Sequence, residues 1–309
     1  MSKLKLYSDF ARPFTLLPPA LGVLSGAITA WGAGHHKLPF SWQLVLPVIC
    51  GTLMAAVLNG ANNAVNQIYD LDIDRVNKPK RPLPSGALSM RGAWAFTIVT
   101  FLLAWALAFF ASPFVPPEVL ARRECFWIVL FTSLLCWIYS APPLWTKRRG
   151  LWANLTIAIP RGVLLKVAGW STVKTIVGVE PWFIGSIFGL FLLGAASTKD
   201  FADIEGDKAG GCETLPILYG VKKAAWIIAP FFVLPFILIP IGVWRGILTG
   251  NPTLLMILGP ALVLYGLYTV YLLVRKPEEL ATTENHPSWT HMYRMMMLAQ
   301  IGFALSYVF

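Results

Sequence analysis

Long apolar stretches, separated by short polar segments, run along the whole chain. A helix needs about 20 mostly apolar residues to cross a bilayer, and nine stretches meet this requirement, most of them ending near Pro, Gly or charged residues. The pattern predicts an all-α, multi-pass membrane bundle of about nine transmembrane helices without a separate soluble domain. The predicted spans are residues 13–32, 42–68, 91–112, 124–141, 152–171, 181–200, 224–245, 253–274 and 290–308.

The polar segment after the second span contains regularly spaced side chains. Asn66, Asp70 and Asp74 are four residues apart, so on a helix they share one face. Two carboxylates at this spacing repel each other, and a divalent cation such as Mg²⁺, which prefers oxygen ligands, removes the repulsion. Lys78 and Arg81 follow in the same segment. Carboxylates beside fixed cations predict a site for a metal-bound diphosphate.

A second acidic segment lies at the end of the sixth span. It contains Asp200, Asp203 and Asp207, of which the last two are again four residues apart. When Asp203 is aligned with Asp70, Asp207 falls on Asp74. This repetition predicts a duplicated helical unit, with the acidic ends of the two halves facing each other.

A single integral-membrane domain is predicted to cover residues 1–309. It consists of two pseudo-repeats, 10–141 and 152–274, and a final helix, 290–308. Hydrophobic residues make up 56% of the chain and charged residues 13%, which is about half of the ~25% charged residues typical of soluble proteins. The composition therefore favours a chain embedded in lipid.

The positive charges indicate the orientation of the bundle. With the N-terminus in the cytoplasm, 17 of the 25 Lys and Arg residues lie on the cytoplasmic side and five on the opposite side. This bias places the N-terminus and both acidic segments in the cytoplasm. The net charge of +10 then reflects topology, attraction to anionic lipids and a local phosphate site, so we expect no nucleic-acid partner. The three remaining cations lie within predicted spans and are Arg161, Lys166 and Arg294.

Four motifs follow one another along the chain. They are Asn66-x-x-x-Asp70-x-x-x-Asp74, Arg81-Pro-Leu-Pro-Ser-Gly86, Tyr139-Ser-Ala-Pro-Pro-Leu144 and Asp203-Ile-Glu-Gly-Asp207. Together, and in this order, they resemble the UbiA-type intramembrane prenyltransferases over nearly the whole chain. Within that family the sequence is similar to the chlorophyll synthase and homogentisate prenyltransferase branches.

The resemblance implies a central cavity in the bundle, a polyprenyl diphosphate donor, a hydrophobic acceptor and two Mg²⁺ ions, for which Mn²⁺ can substitute. The implied metal ligands are Asn66, Asp70, Asp74, Asp200, Asp203 and Asp207. The implied substrate-binding residues are Asn66, Lys78, Arg81, Lys147, Arg12, Arg161 and Ser140. The implied catalytic residues are Asp70, Asp74, Asp203, Asp207 and Tyr139.

Some of these residues have a second interpretation. Arg12, Arg81 and Lys147 can bind phosphate or simply mark the cytoplasmic face. The position of Arg81 just past the first acidic motif favours phosphate, and for Arg12 and Lys147 both interpretations stay open. Tyr139 and Ser140 can line a pocket or end a helix at the membrane interface.

The fifth span contains two ionisable residues, Arg161 and Lys166, in an otherwise apolar run. Such residues are costly in a membrane and usually functional, although they can also snorkel or pair with a carboxylate. Because they are five residues apart, they differ by about 140° around a helix. Pro160 and Gly162 predict a kink at Arg161. We expect Arg161 to face the cavity and to orient a polar or anionic group of the acceptor.

The predicted reaction is the Mg²⁺-dependent transfer of an isoprenyl chain to a hydrophobic, aromatic or ring-containing acceptor of the quinone- or chlorophyll-precursor type, with release of diphosphate. An aromatic ring can shield the allylic cation, and the candidates are Tyr69, Tyr139 and Trp170. One alternative is a glycerol-phosphate lipid as acceptor. Another is an ion-coupled transporter that uses the paired acidic ends as an ion site. Acidic residues at the ends of spans, interleaved with cations, favour chemistry over transport.

Overall fold

The structure is a computed structural model that describes residues 2–34, 39–112, 123–283 and 285–309. These residues form helices and connecting loops and contain no strand. The prediction of an all-α fold is therefore confirmed.

Sixteen α-helices follow one another in the described residues, and short 3₁₀ or π-helical turns join several of them. The α-helices are α1 (Lys3–Ala11), α2 (Leu17–Gly32), α3 (Trp42–Tyr69), α4 (Leu71–Asn77), α5 (Met90–Phe110), α6 (Glu124–Ser140), α7 (Leu151–Ala158), α8 (Leu165–Ser171), α9 (Val179–Ala195), α10 (Ile204–Ala209), α11 (Leu215–Tyr219), α12 (Val221–Ile228), α13 (Leu234–Trp244), α14 (Pro252–Val274), α15 (Glu279–Thr282) and α16 (Pro287–Val308).

Seven helical segments of the described chain are long and apolar enough to cross a membrane. The other two predicted spans are also helical, but α6 has only 17 residues and α16 is less apolar. All nine predicted spans therefore coincide with helices. The seven segments are Pro13–Gly32, Trp42–Tyr69, Met90–Phe110, Leu151–Ser171, Val179–Thr198, Val221–Trp244 and Pro252–Val274.

Polar side chains at the span boundaries cap the helices. The hydroxyl oxygen of Ser89 accepts a hydrogen bond from Gly92 N at 3.1 Å, at the start of α5. Asn251 Oδ1 accepts from Thr253 N at 3.0 Å and from Leu254 N at 3.1 Å, at the start of α14. These caps satisfy N–H groups that have no partner within the helix, which matters most where water is scarce.

The kink predicted in the fifth span is a π-helical turn, Ile159–Leu164, between α7 and α8. Pro160 has no N–H for the regular helical hydrogen bond, and π turns inside helices frequently mark functional positions. A Cβ on Gly162 would overlap the backbone of Gly189 in α9. This close approach of two backbones fixes the turn that carries Arg161.

Candidate active site

The two acidic segments meet at one end of the bundle, which we call the acidic end and define by Asp70 and Asp203. Asp70 follows α3 and precedes α4 with φ −94° and ψ 14°, and Asp203 precedes α10 with φ −106° and ψ 10°. The two turns thus have nearly the same backbone conformation. Asn77 Nδ2 donates to Asp203 O at 3.2 Å, and Asn77 Oδ1 accepts from Gly206 N at 3.0 Å. These bonds hold α4 against α10.

Three aspartates at the acidic end are paired with three of the cations that the sequence analysis assigned to the substrate. In each pair a carboxylate oxygen lies near an ammonium or guanidinium nitrogen from another part of the chain. A cation array that can bind diphosphate is thus already assembled on the carboxylates. The pairs are Lys147–Asp70 at 2.5 Å, Arg81–Asp74 at 2.6 Å and Lys78–Asp203 at 3.5 Å.

The carboxylates are crowded and incompletely neutralised. Burial raises the pKa of Asp70, and the attraction of Lys147 offsets this only in part. Burial and the negative charge of Asp207 and Asp203 raise the pKa of Asp200 to about 7. Burial, together with Asp203 and Asp70, raises the pKa of Asp207 to about 6. Additional positive charge at the acidic end would therefore be stabilising.

The donor set at the acidic end fits Mg²⁺. Asp70 Oδ1 is buried and accepts no hydrogen bond from the part of the chain that the structure describes. Asp203 Oδ1 likewise accepts no hydrogen bond there, although Lys78 Nζ lies 3.5 Å from it. Every candidate ligand offers a hard oxygen, as Mg²⁺ prefers. Among the described residues no three Asp, Glu, His or Cys side chains are arranged to hold a metal ion; three of the carboxylates are instead paired with Lys or Arg.

A cavity of about 220 Å³ opens beside the acidic end. Five of the predicted site residues line it: Arg12, Asn66, Tyr139, Arg161 and Asp200. Its more apolar walls include Leu165, Leu192 and Met296. The remaining predicted residues, except Ser140, lie in the adjoining ion-pair cluster and are Asp70, Asp74, Asp203, Asp207, Lys78, Arg81 and Lys147.

Three predicted positions lie elsewhere. Ser140 is fully buried and does not line the cavity, because a helix turns by about 100° between Tyr139 and its neighbour. Tyr69 packs against Trp94 and Trp137, with ring centroids 6.0 and 5.8 Å apart, outside the cavity. Trp170 donates to the carbonyl of Thr175, a loop residue at the opposite end of the bundle. Of the three aromatic candidates, the structure places only Tyr139 in the cavity.

Lys166 lies outside the cavity wall, whereas Arg161 is part of it. The Lys166 side chain is 3% exposed, and its ammonium stands 4.3 Å from the centroid of the Phe188 ring. No acceptor in the described ranges bonds to Lys166 Nζ. Pairing with a carboxylate, one of the alternatives for an ionisable residue in this span, is therefore absent for Lys166 from the contacts that the structure describes.

Lys199 is a cavity residue that sequence reasoning missed, because it was counted only as a cytoplasmic charge. Burial and the nearby charge of Arg12 lower the pKa of Lys199 to about 8. Burial and the charges of Arg81 and Arg161 lower the pKa of Arg12 to about 10. Mutually repelling cations that line one cavity are suited to an anionic ligand.

Helix α16 supplies a second set of missed residues. Trp289, Met292, Tyr293, Met296 and Gln300 line the cavity, and their spacing is that of one helix face. Gln300 Oε1 is buried and accepts no hydrogen bond within the described chain. The helical period of this stripe was visible in the sequence, but nothing in the sequence showed that the stripe faces the cavity.

The backbone conformation of Arg12 explains how its side chain enters the cavity. Arg12 has φ 60° and ψ 68°, in the left-handed region that is unfavourable for residues other than Gly. Asn63 Nδ2 donates to Ala11 O at 3.0 Å, and Gln67 Nε2 donates to Phe10 O at 2.8 Å. Asn59 Nδ2 donates to Thr15 O, in the turn that follows, at 2.9 Å. Amides of α3 therefore hold the strained turn in place.

The sequence model of the UbiA prenyltransferase family matches residues 16–285. The chain is 28% identical over 299 residues to digeranylgeranylglyceryl phosphate synthase of Methanosphaera stadtmanae, covering 97% of this chain and 98% of the relative. It is 34% identical over 226 residues to the chloroplastic homogentisate solanesyltransferase of Arabidopsis thaliana, and 31% identical over 227 residues to the chloroplastic chlorophyll synthase of Oryza sativa. These matches cover 71% and 72% of this chain but only 55% and 57% of the plant relatives.

Solved structures share the fold. A UbiA homolog from Archaeoglobus fulgidus bound to DMAPP and Mg²⁺ superimposes with a TM-score of 0.72 at 19% identity, covering 98% of both chains. A structure of digeranylgeranylglyceryl phosphate synthase gives a TM-score of 0.69 at 23% identity, covering 100% of this chain and 99% of the other. The polytopic helical bundle predicted from the apolar stretches is confirmed. The chain is therefore an enzyme of the UbiA prenyltransferase family.

Proposed function

We propose that the protein transfers an isoprenyl chain from a polyprenyl diphosphate to a hydrophobic acceptor, with Mg²⁺ as cofactor and diphosphate as second product. The observation that carries this proposal is the set of three aspartate–cation pairs at the acidic end. The acceptance of DMAPP and Mg²⁺ by the Archaeoglobus fulgidus homolog supports the class of donor and cofactor. Positive-inside bias supports a cytoplasmic acidic end.

Two Mg²⁺ ions would be held by four aspartates, Asp70, Asp74, Asp203 and Asp207. Asn66 and Asp200 would assist them. When bound, Mg²⁺ supplies positive charge that neutralises both the crowded carboxylates and the diphosphate leaving group. The raised pKa values of Asp200 and Asp207 indicate that the cations of the protein do not fully neutralise these carboxylates. They support a site that is completed by a bound metal ion.

The cations of the three pairs would bind the donor. Lys147, Arg81 and Lys78 each lie within 3.5 Å of a carboxylate oxygen, so they are already positioned beside the place where diphosphate oxygens would lie. Their charge stabilises the leaving group as the allylic C–O bond breaks, which is the kind of contribution that usually dominates catalysis. The ring of Tyr139, which lines the cavity, would shield the allylic cation.

The acceptor would carry a polar or anionic group that faces Arg161. Arg161, Arg12 and Lys199 line the cavity, and none of them forms an ion pair with a carboxylate of the described chain. The plant relatives and the motif likeness favour a ring-containing acceptor. The archaeal relative that matches the whole chain favours a glycerol-phosphate lipid as the second candidate. Both can present an anionic group to Arg161.

The direct test is turnover of radiolabelled geranylgeranyl diphosphate by the purified protein in detergent. Ring-containing acids and geranylgeranylglyceryl phosphate are offered as acceptors in separate reactions. They represent the two candidate acceptor classes, so the reaction that gives product identifies the class. We expect label in a prenylated product, loss of turnover on exhaustive chelation with EDTA, and recovery with Mg²⁺ or Mn²⁺. Full turnover after chelation would exclude the metal assignment. Ion flux in liposomes without any prenyl transfer would favour the transporter.

Arg161→Leu is expected to raise the KM for the acceptor about tenfold or more and to leave donor affinity nearly unchanged. The reason is that a charge-assisted hydrogen bond to the acceptor is lost. Initial rates at varied acceptor and donor concentrations measure both constants. Lys166→Leu is the matched control and should be milder, because Lys166 lies outside the cavity. If Arg161→Leu instead lost donor binding, or changed only the thermal stability, Arg161 would not be an acceptor-binding residue.

Asn63→Leu is expected to lower kcat/KM about fivefold to tenfold by releasing the turn that aims Arg12 into the cavity. In an Arg12→Leu background, Asn63→Leu should cause almost no further loss, because the two residues act through the same guanidinium. Asn154→Leu is the control: Asn154 Nδ2 donates to Leu193 O at 2.8 Å in another part of the bundle. Its effect should be the same with and without Arg12. Additive losses for Asn63 and Arg12 would show that Asn63 is only structural.

A further inference from the structure

Helix α16 has a second face, which points away from the cavity. Leu298, Ile301 and Leu305 are exposed there to 51%, 47% and 48% of their surface, as expected for side chains that contact lipid. Arg294 is also exposed and lies one helical turn before Leu298. A charged side chain therefore interrupts an apolar, lipid-facing stripe.

This charge has no counter-charge within the described part of the protein. Arg294 forms none of the salt bridges or hydrogen bonds found there. An arginine on a lipid-facing surface is costly unless it reaches the headgroup layer or gains a partner. Arg294 is therefore satisfied either by reaching the headgroup layer or by a partner from outside the described chain.

The direction of α16 brings the guanidinium towards the headgroups. The helix begins at Pro287 near the acidic end, and Arg294 lies seven residues further on, which corresponds to about 10 Å along the axis. Side chains on a helix tilt towards its N-terminus, and a long arginine side chain extends this reach by snorkelling. Arg294 can thus present its charge to the membrane leaflet at the acidic end.

Three polar side chains of α14 and α16 form a connected group next to Arg294: Tyr265, Tyr268 and His291. His291 Nδ1 and the Tyr265 hydroxyl are 2.9 Å apart, and the Tyr268 ring lies 5.1 Å from the His291 ring. Arg294 is close enough to interact electrostatically with both Tyr265 and His291. We call Tyr265, Tyr268, His291 and Arg294 the groove patch. Its guanidinium and its hydroxyl groups are donors of the kind that phosphate accepts.

We propose that the groove patch binds the phosphate of an anionic phospholipid in the leaflet at the acidic end. The charge is complementary to a phosphate, and the apolar surface beside it suits acyl chains. Leu264 and Leu267 on α14, exposed to 67% and 51%, continue the apolar surface on one side of the patch, and Leu298 continues it on the other. This surface favours a lipid over a free phosphate ion.

The test compares lipid retention by native mass spectrometry of the full chain in detergent supplemented with phosphatidylglycerol or phosphatidylcholine. We expect the wild type to retain one tightly bound phosphatidylglycerol, and Arg294→Gln to bind it about fivefold more weakly, as for loss of one cation near a membrane surface. Tyr268→Phe should weaken retention less. Arg91→Gln is the matched control, because Arg91 is exposed at the start of α5, at the same end of the bundle, and should behave as the wild type.

Several outcomes would overturn the proposal. Equal retention of phosphatidylglycerol by Arg294→Gln and the wild type would show that the groove patch is not the lipid site. An equal loss of retention in Arg91→Gln and Arg294→Gln would indicate diffuse attraction of the lipid to positive charge, and would also exclude a specific site. Displacement of the lipid by millimolar inorganic phosphate would assign the patch to a free anion. A dimer that disappears in Arg294→Gln would assign it to a second copy of the chain. Thermal melting of each variant confirms that Arg294→Gln is folded.

Discussion

Asp70→Asn and Asp203→Asn are each expected to abolish measurable prenyl transfer, a loss of at least a hundredfold to a thousandfold by analogy with the removal of one electrostatic group from an active site. Each substitution removes one carboxylate from one of the two acidic segments that face each other. If both segments hold Mg²⁺ on the same diphosphate, neither can replace the other. The two losses should therefore be similar in size, although the residues lie in different halves of the chain.

Asp203→Asn is the cleaner of the two variants. Asp203 is only loosely paired, 3.5 Å from Lys78, whereas Asp70 is buried against Lys147 at 2.5 Å. The fold should therefore tolerate the loss of charge at 203 better than at 70. Turnover and thermal melting are measured on the same preparations. Asp72→Asn serves as control, because Asp72 is exposed and, among the described residues, its ion pair is with Arg75 of its own helix. A well-folded Asp203→Asn enzyme with most of its turnover would refute the paired metal site.

The helices and the acidic end were predictable because both depend on short-range periodicity. Apolar runs of span length become helices in a membrane whatever their neighbours. Asp70 and Asp74, four residues apart, share a helix face for the same local reason. The repetition at Asp203 and Asp207 then indicated that the two ends meet. No structure was needed for either inference.

The cavity wall was less predictable, because it depends on how helices pack. Gln300 is a single polar residue in an apolar helix, and its role depends on which face of α16 is turned inwards. Arg12 takes a left-handed conformation at the end of α1, and amides of α3, far along the chain, bond to the carbonyls on either side of it. Ser140 is the reverse case: its neighbour Tyr139 lines the cavity, and one step along the helix turns Ser140 away from it.

Lys147→Met is expected to lower both activity and stability. Lys147 is the cation that compensates buried Asp70, and removing one partner of a buried ion pair typically costs about 3–5 kcal/mol. Burial holds the pKa of Asp70 above its ordinary value, and the loss of Lys147 would raise it further. A carboxyl group with a raised pKa in the folded state stabilises the fold while protonated and loses this contribution as the pH rises through that pKa. The variant should therefore lose more thermal stability at pH 8 than at pH 5.

Thermal melting in EDTA at both pH values measures this difference, and a repeat with Mg²⁺ gives a readout that does not depend on activity. A divalent cation bound by Asp70 and its neighbours would replace the missing ammonium charge, so Mg²⁺ should raise the melting temperature of Lys147→Met more than that of the wild type. Arg148→Met is the control, because Arg148 stacks on the Trp145 ring at 3.5 Å and compensates no aspartate in the described structure. If Mg²⁺ stabilised the wild type and Lys147→Met equally, at either pH, the carboxylates beside Lys147 would not be the ones that hold the metal.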